Sequence, residues 1–498
     1  MKVRIVKTPT GKFGVQVVSR YGKHFILHKQ IGSAKTEEEK QKLISDAQTY
    51  ISSHDPQQNL FDERGMFSRL EEIAITKSQP LFLYRLLCGV YHHVGFDTFP
   101  DPVIKDLIVA RVYQPVSKRE IVEILEDSFD RSYSLKTVYR HLKTAVENNL
   151  KDCFQTALIN FVRNGLNDSL RLVFYDVTTL AFDSQAKEGL KDFGFSKDHR
   201  FQDVQIVVGL VVNRDGFPLY FDVFNGRTFE GKTFIPVVEK IKSLLVSPEL
   251  TVIADAAMIS KLNIEELDIR HIGFIVGARL GNLPKHLREK ISQDILGTDK
   301  SITTVNYLGH RLVCQYLSSR AAKDRSDREK QVEKAKRVVS SPSKITGRFK
   351  FVETVNGTYE VNENLVKKAT LLEGIKGYVT NTKLDEQTII NRYHDLWRIE
   401  KSFRMTKSDL SARPIFHQLD KTIISHLIIV FAGLAIARYL EIKTNLPFKK
   451  IIKMAKKVLT HKVTITKTGE SALIETKITD STLCGQLEKL RALEYQMS

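Results

Sequence analysis

Two aspartates stand where a carboxylate is costly. Asp176 interrupts an apolar run with strand character, VFYDVTTL, and Asp255 ends a second apolar run, VIADAAM. A charged carboxylate inside or at the tip of a core strand is stable only when it is paired, hydrogen-bonded or bound to a cation. Taken alone, each is more readily explained as a capping or turn aspartate, so the pair needs support from the rest of the chain.

A third acid lies among bases and aromatic residues. The stretch from 393 to 407 reads YHDLWRIEKSFRMTK and holds Tyr393, Glu400 and Lys407 at intervals of seven. On an α-helix such residues drift by only about 20° per step, so a phenol, a carboxylate and an ammonium would share one face. The alternative is a solvated helix face on which Glu400 pairs with a nearby Lys or Arg.

The elements around these acids predict a mixed α/β sheet covered by helices. Strand patterns occupy LRLVFYDVTTLAF, DVQIVVGLVV and FPLYFDVF, and an Asp-Gly turn joins the last two as a hairpin. A helical segment, the strand that ends at Asp255 and a further strand, HIGFIVGA, follow. This is the order of a ribonuclease H-like core, in which the first and fourth strands are adjacent. Asp176, Asp255 and Glu400 would converge there.

The charge balance predicts a polyanionic partner, with nucleic acid as the first candidate. The 498 residues include 76 Lys and Arg against 58 Asp and Glu, a formal net charge of +18. Residues 310–350 contain twelve Lys or Arg against four acids, and residues 442–469 contain eight lysines and no acid. Charge runs are usually solvated faces, which remains the alternative for both segments.

Local signals predict several helices. Thr36 with Glu39 and Ser117 with Glu120 are capping boxes that each open a helix. The basic run RAAKDRSDREKQVEKAKR is also predicted to be helical.

Further local signals divide the rest of the chain. A helix that starts after Ser134 carries Lys136, Arg140, His141 and Lys143, as a recognition helix would, although an ordinary helical bundle explains it equally well. The predicted regions are a small N-terminal sheet plus helix (1–59), a helical DNA-binding region (60–165), the first part of the core (166–279), a basic and β-rich insertion (280–376), the second part of the core with the catalytic helix (377–441) and a basic C-terminal region (442–498).

Cysteine spacing and hydropathy indicate a cytoplasmic protein. The four cysteines, Cys88, Cys153, Cys314 and Cys484, are too far apart for a zinc motif or a disulfide framework. The N-terminus has no apolar leader, and the longest apolar run, LIIVFAGLAIA, is too short to span a bilayer. We therefore expect no membrane association and a buried core helix at this run.

Three converging carboxylates without a His or Cys cluster favour hard cations, chiefly Mg²⁺ or Mn²⁺. In a basic protein the corresponding chemistry is phosphodiester cleavage. Two ions about 3.5–4 Å apart would activate a water or a 3′-hydroxyl on one side and stabilise the leaving oxygen on the other.

The three acidic stretches resemble the motifs of bacterial DDE insertion-sequence transposases, in the branch with the Y-R-E-K signature. The resemblance continues through FRMTKSDLSARPIFHQLDKTIISHLIIVFAGLAIA, GIKGYVTNT, SSRAAKDRSDRE and QVVSRYGKHFILHKQIGSA, and so covers most of the chain. It implies that Asp176, Asp255 and Glu400 are catalytic and bind metal. It also implies that Tyr393 and Lys407 contact phosphate at the element's end.

Two positions depart from the family pattern. The signature's arginine belongs where this chain has Leu396, and Arg398 is the candidate replacement as a DNA contact, from another helix face. Some relatives also place a tryptophan on the insertion to stack a flipped base. The single tryptophan here, Trp397, lies inside the third motif. The sequence therefore does not predict a hairpin intermediate.

The resemblance implies a transposase that cuts inverted-repeat ends and transfers the strand to target DNA. We expect two Mg²⁺ or Mn²⁺ ions, DNA as the partner, a homodimer on DNA, and a bacterial or archaeal, nucleoid-associated location. The alternatives are a metal-dependent nuclease without strand transfer and a transposase-derived protein that only binds DNA.

Overall fold

The computed structural model describes residues 1–8, 11–21, 24–54, 73–183, 186–196, 202–245, 249–258, 260–295, 297–341, 349–355, 357–466 and 468–497. They form two compact units. The first comprises Met1–Ser78 and Thr460–Glu475, and the second comprises Gln79–Leu459 and Thr476–Ser498. The predicted helical region from 60 and the predicted core thus share the second unit from Gln79 onward.

The first unit contains the small antiparallel sheet that the sequence predicted. Its strands are β1 (Lys2–Lys7), β2 (Phe13–Tyr21) and β3 (His24–Ala34), and α1 (Glu37–His54) packs on it. The predicted capping box is present, because the N–H of Glu39 donates to Thr36 Oγ1 (3.3 Å) and the N–H of Thr36 donates to the Glu39 carboxylate (3.4 Å).

A second sheet of this unit corrects part of the helical prediction. Residues 60–72 lie outside the described residues, but 73–79, expected to be helical, form a strand. The strands are β4 (Ile73–Gln79), β15 (Thr460–Ile465) and β16 (Ser471–Glu475), in the order β16-β15-β4. The partner of β4 is almost 400 residues away, so local sequence could not identify it.

Helices open the second unit, and three of them start at a side-chain cap. They are α2 (Leu81–His93), α3 (Pro102–Tyr113), α4 (Lys118–Phe129), α5 (Leu135–Glu147) and α6 (Leu150–Gly165). Ser117 and Glu120 form the predicted capping box of α4, and Ser134 caps α5. Their apolar faces belong to the same hydrophobic core as the main sheet.

The main sheet is mixed and has eight strands in the order β10-β11-β14-β9-β8-β5-β6-β7. The strands are β5 (Leu172–Ala181), β6 (Gln205–Val212), β7 (Pro218–Asn225), β8 (Thr251–Ala254), β9 (Gly273–Gly277), β10 (Ile302–Tyr307), β11 (His310–Tyr316) and β14 (Ile375–Thr380). Strands β5, β8 and β9 run parallel, and their other neighbours run antiparallel. The predicted adjacency of the first and fourth core strands, β5 and β8, is confirmed.

The stretch predicted as an insertion contributes to this sheet. Strands β10 and β11 form a hairpin that pairs with β14 and extends the sheet. The other elements between β7 and β14 are α7 (Glu230–Leu245), α8 (Lys261–Ile269), α9 (Lys285–Ile295), α10 (Ser318–Ser340), the hairpin β12 (Val352–Val355) and β13 (Thr358–Val361), and α11 (Glu363–Leu371). The basic segment predicted to be helical is α10.

The third acidic stretch is not one continuous helix, so the predicted shared face is wrong. It comprises α12 (Glu386–His394), α13 (Trp397–Arg404) and a π-helical turn (Met405–Asp409). The break after His394 and the wider π turn change the rotation per residue, and a spacing of seven no longer keeps side chains aligned. Tyr393 is accordingly buried, whereas Glu400 is exposed.

Behind this stretch lies α14 (Asp420–Thr444), the predicted core helix, followed by α15 (Phe448–Ala455) and α16 (Ser481–Met497). Among the described residues, α14 alone is long and apolar enough to cross a membrane by length and composition. Within the fold, 94% of its most apolar window is buried. It packs against α3, α5 and the sheet as the central helix of the core.

Candidate active site

The two aspartates come from neighbouring parallel strands. Tyr175 of β5 is in register with Ala254 of β8, so the next residues, Asp176 and Asp255, follow side by side. Neighbouring strands are about 4.8 Å apart, which brings both side chains to one region of the sheet. Asp255 is exposed and Asp176 is partly exposed, with Asp176 Oδ1 accepting from the N–H of Val177 (2.7 Å).

Asp255 is held by the tyrosine of the third stretch. The Tyr393 hydroxyl donates to Asp255 Oδ1 at 3.0 Å, across 138 residues of sequence. Burial, and then the negative charge of Asp255, raises the pKa of Tyr393 well above its ordinary value. The phenol therefore remains a donor at neutral pH. Gly277 at the end of β9 makes room for it, because a Cβ there would overlap the Tyr393 hydroxyl.

Helix α13 carries Glu400 and is anchored on two sides. Ser402 Oγ donates to the carbonyl of Gly216 (2.9 Å), which lies in the Asp-Gly turn between β6 and β7. On the other side, Lys401 pairs with Glu441 of α14 at 2.7 Å. Gly216 has φ of +75°, which a residue with a side chain adopts only with strain. The turn and α14 together fix the direction in which Glu400 points.

Asp176 and Glu400 line one open cavity of about 280 Å³. Three of the other residues that line this active-site cavity are basic. The basic wall residues are Arg404, Lys407 and Arg413. Two carboxylates thus face three cations, which suits a polyanionic substrate that approaches a bound cation.

Lys376 is a site residue that the sequence analysis missed. It lies in β14, with its ammonium 4.7 Å from the centroid of the Tyr393 ring. Burial, then Arg320, lowers the pKa of Lys376, while Asp255 and Glu400 act in the opposite direction. The available signal was a lysine inside the otherwise apolar strand IKGYVT. Arg404 and Arg413 carried no comparable signal.

The structure distributes the predicted site residues over three places. Asp176, Glu400 and Lys407 meet at the active-site cavity, whereas Asp255 and Tyr393 form a hydrogen-bonded pair at the neighbouring strand end. Arg398 lies elsewhere: its guanidinium pairs with Asp395 (3.2 Å), and its backbone packs against the turn at Gly216.

The predicted ligands have the right chemistry for a hard divalent cation. All three predicted ligands are carboxylates, which Mg²⁺ and Mn²⁺ prefer. Within the described part of the chain, no three His, Cys, Asp or Glu side chains are close enough to hold one ion together. The three residues fit such a cation by chemistry, but only Asp176 and Glu400 line the same cavity, and Asp255 is hydrogen-bonded to Tyr393.

Comparison with known proteins gives a family and a structural relative. The family model described as "Transposase DDE domain" matches residues 168–420, which include all three acids. The piggyBac transposase, solved by cryo-EM as a synaptic complex with hairpin DNA, is similar over 84% of this chain and 85% of that chain. The two share 9% sequence identity, with a TM-score of 0.39. The sequence gives no significant match among curated proteins.

Proposed function

The chain belongs to the family of the transposase DDE domain, and from this premise we propose that it is an insertion-sequence transposase. It cuts DNA at inverted-repeat ends and joins the freed 3′-hydroxyl to target DNA. The observation that carries the proposal is the active-site cavity, in which Asp176 and Glu400 face a basic wall. A cation and a phosphodiester need the two kinds of side chain at one place.

Members of this family generally use divalent metal ions. We propose two Mg²⁺ or Mn²⁺ ions, with Asp176, Asp255 and Glu400 as their protein ligands. When bound, such ions activate the attacking oxygen and stabilise the leaving oxygen of the phosphodiester.

The chain's own groups position the ligands and the DNA. Tyr393 orients the Asp255 carboxylate through its hydroxyl, in the way that hydrogen bonds to metal ligands usually do. Lys407, Arg404 and Arg413 are placed to bind phosphate oxygens at the active-site cavity. Lys376 adds a positive charge behind Tyr393, and the negative charges of Asp255 and Glu400 favour the charged form of this lysine by raising its pKa.

We further propose membership of the Y-R-E-K branch, with Tyr393, Glu400 and Lys407 in the signature positions. Arg398 stays a candidate DNA contact, although in this structure it is paired with Asp395. The protein would act as a homodimer on DNA in the nucleoid of a bacterium or archaeon. The mass of the complex on a single DNA end tests the homodimer.

The test measures DNA binding and cleavage separately in three variants, Asp176→Asn, Asp255→Asn and Glu400→Gln. The substrate is the DNA that flanks the reading frame, with terminal inverted repeats. Each change removes a charge without changing shape, so magnesium-dependent cleavage should be almost abolished while DNA binding persists. Because the acids act as one unit, a double variant should lose little more. Near wild-type cleavage by folded Glu400→Gln would remove Glu400 from the site.

Strand joining separates the proposed transposase from a nuclease. A substrate with a pre-cut 3′ end needs no further cleavage and reports joining alone. Transfer of that end into a plasmid supports transposition. Cleavage without transfer would identify a nuclease, and a wild-type protein that binds but never cuts would identify a DNA-binding protein.

A further inference from the structure

A second cavity, of about 550 Å³, lies between the helices of the second unit and the segment that follows the π turn. Among the described residues that line it, Glu120 is the acid, and its carboxylate accepts a hydrogen bond from the N–H of Ser117 (3.3 Å) in the α4 capping box. The basic wall residues are Arg111, Lys118, Arg119, Arg413, His417 and His426. We call this the basic cavity.

Three of these side chains each bury one nitrogen atom that has no partner, although the other ring nitrogen of His426, Nε2, hydrogen-bonds to the carbonyl of Ala412 (3.1 Å). Among the described residues, Lys118 Nζ, Arg111 Nε and His426 Nδ1 have no hydrogen-bond partner. Lys118 is 5% exposed and Arg111 is 4% exposed. An unpaired buried cation is strongly destabilising, so proteins rarely retain one unless a ligand completes it.

The position of Lys118 in its helix strengthens the positive electrostatic potential in the basic cavity. Lys118 is the first residue of α4, a helix of 12 residues capped by Ser117. The positive end of the helix dipole therefore faces the same cavity as the ammonium, and helix N-termini bind anions. Burial, with Arg111 beside it, holds the pKa of Lys118 well below its usual range, as expected for a cation without its counter-ion.

We propose that the basic cavity binds a phosphate group, held by Lys118 and Arg111. An ammonium and a guanidinium donate to several oxygens at once, which matches a tetrahedral oxyanion. The volume also exceeds that of a single small ion and admits a phosphate with groups attached to it.

The basic cavity adjoins the active site through one residue. Arg413 lines the basic cavity and also the active-site cavity that holds Asp176 and Glu400. If the proposed function is correct, the bound group is a backbone phosphate of the DNA whose scissile bond reaches the active-site cavity. This identification rests on the proposed function, whereas phosphate binding itself does not. Free inorganic phosphate is the other source of the same chemistry.

The first test uses the full chain and inorganic phosphate, by calorimetry and thermal unfolding, against chloride at equal ionic strength. Phosphate should bind and raise the unfolding temperature of the wild type. Lys118→Met should unfold at a higher temperature than the wild type without phosphate, because it removes an unpaired buried charge, and its phosphate affinity should fall at least tenfold. Lys261→Met, at an exposed lysine of α8, is the matched control and should behave as the wild type.

Arg111→Met provides an independent variant with the same expected loss of phosphate binding, in case Lys118→Met does not fold. Equal phosphate affinity in the wild type and in folded Lys118→Met or Arg111→Met would overturn the proposal. So would a wild type that binds no phosphate and whose DNA affinity is unchanged by both substitutions.

The second test identifies the source of the phosphate with duplex DNA. If the group belongs to the DNA backbone, Lys118→Met lowers the slope of log affinity against log salt by about 0.9, the value of one phosphate contact. Inorganic phosphate then competes with DNA. An unchanged slope together with lost phosphate binding assigns the site to free phosphate. Neither measurement depends on cleavage. A protein that does not cleave DNA would therefore contradict the proposed function without contradicting phosphate binding in the basic cavity.

Discussion

Tyr393 has two candidate roles at the candidate active site, a contact to phosphate or the orientation of Asp255, and removal of its hydroxyl distinguishes them. The family resemblance implies a phosphate contact, whereas in the structure its hydroxyl donates to Asp255 at 3.0 Å. Tyr393→Phe removes the hydroxyl and keeps the ring. If the tyrosine orients a metal ligand, cleavage should fall by about 10–100-fold, as for other partners of metal ligands. The salt dependence of DNA binding should not change.

A phosphate contact predicts the opposite pattern for Tyr393→Phe. The slope of log affinity against log salt would then fall, and saturating DNA would restore cleavage. Tyr378→Phe is the matched control, since it removes a hydroxyl from the neighbouring ring, whose centroid lies 4.7 Å from that of Tyr393. We expect the control to cleave at the wild-type rate.

Gly277 provides a test of the same contact from the backbone side. A Cβ at this position would overlap the Tyr393 hydroxyl, whereas a Cβ at Gly281 would meet no atom within 4 Å. Gly277→Ala should therefore cost about 1–3 kcal/mol, as overpacking usually does, and should displace Tyr393 from Asp255. Gly281→Ala should leave both stability and cleavage unchanged. Thermal unfolding and cleavage assays of the two variants test this account. Equal losses of stability and cleavage in both variants would contradict it.

At the scale of elements, the orientation of α13 depends on a buried carboxylate in α14. Glu441 accepts from Arg438 (2.6 Å) and from Lys401 (2.7 Å), and Arg438 is only 5% exposed. Glu441→Ala leaves Arg438 buried without its counter-charge, and removing one partner of a buried pair costs about 3–5 kcal/mol.

Lys401→Met is the matched comparison for Glu441→Ala. Lys401 is 29% exposed, so its pair with Glu441 is partly screened, and we expect a loss below about 1 kcal/mol. Thermal unfolding should place Glu441→Ala clearly below Lys401→Met. Similar unfolding temperatures would show that Arg438 is satisfied by other groups.

The sequence predicted those elements whose signals are local. The capping boxes at Thr36 and Ser117, the Asp-Gly turn at Gly216 and the strand that ends at Asp255 each depend on a few consecutive residues. The adjacency of β5 and β8 followed from strand order.

Features that depend on distant packing were not predictable. The bond between Tyr393 and Asp255, the place of Lys376 beside Tyr393 and the strand pairing of 73–79 each join segments far apart in sequence. The same holds for Lys118, which reads as an ordinary first-turn lysine. Only the packing of α4 against its neighbours shows that its ammonium is buried.

At the scale of the whole molecule, part of the positive charge is neutralised within the fold. On α10, Arg325 and Arg328 both donate to the buried carboxylate of Glu373, so this basic segment offers fewer charges to DNA than its sequence suggests. The segment around α15 differs, because it buries Phe448 and Ile451 and exposes a row of lysines. The exposed lysines include Lys450, Lys453 and Lys457.

These three lysines should act as phosphate contacts. Each contact contributes about 0.9 to the slope of log affinity against log salt, so replacing all three by Gln should lower the slope by up to about 2.7. The matched control replaces Lys232, Lys240 and Lys261, which are exposed on α7 and α8, and changes the net charge equally. If DNA affinity depends only on net charge, the slope will decrease by the same amount in both triple variants. If α15 lies on DNA, the control will keep the wild-type slope. A wild-type slope near zero would instead mean that the charge of +18 does not serve phosphate binding at all.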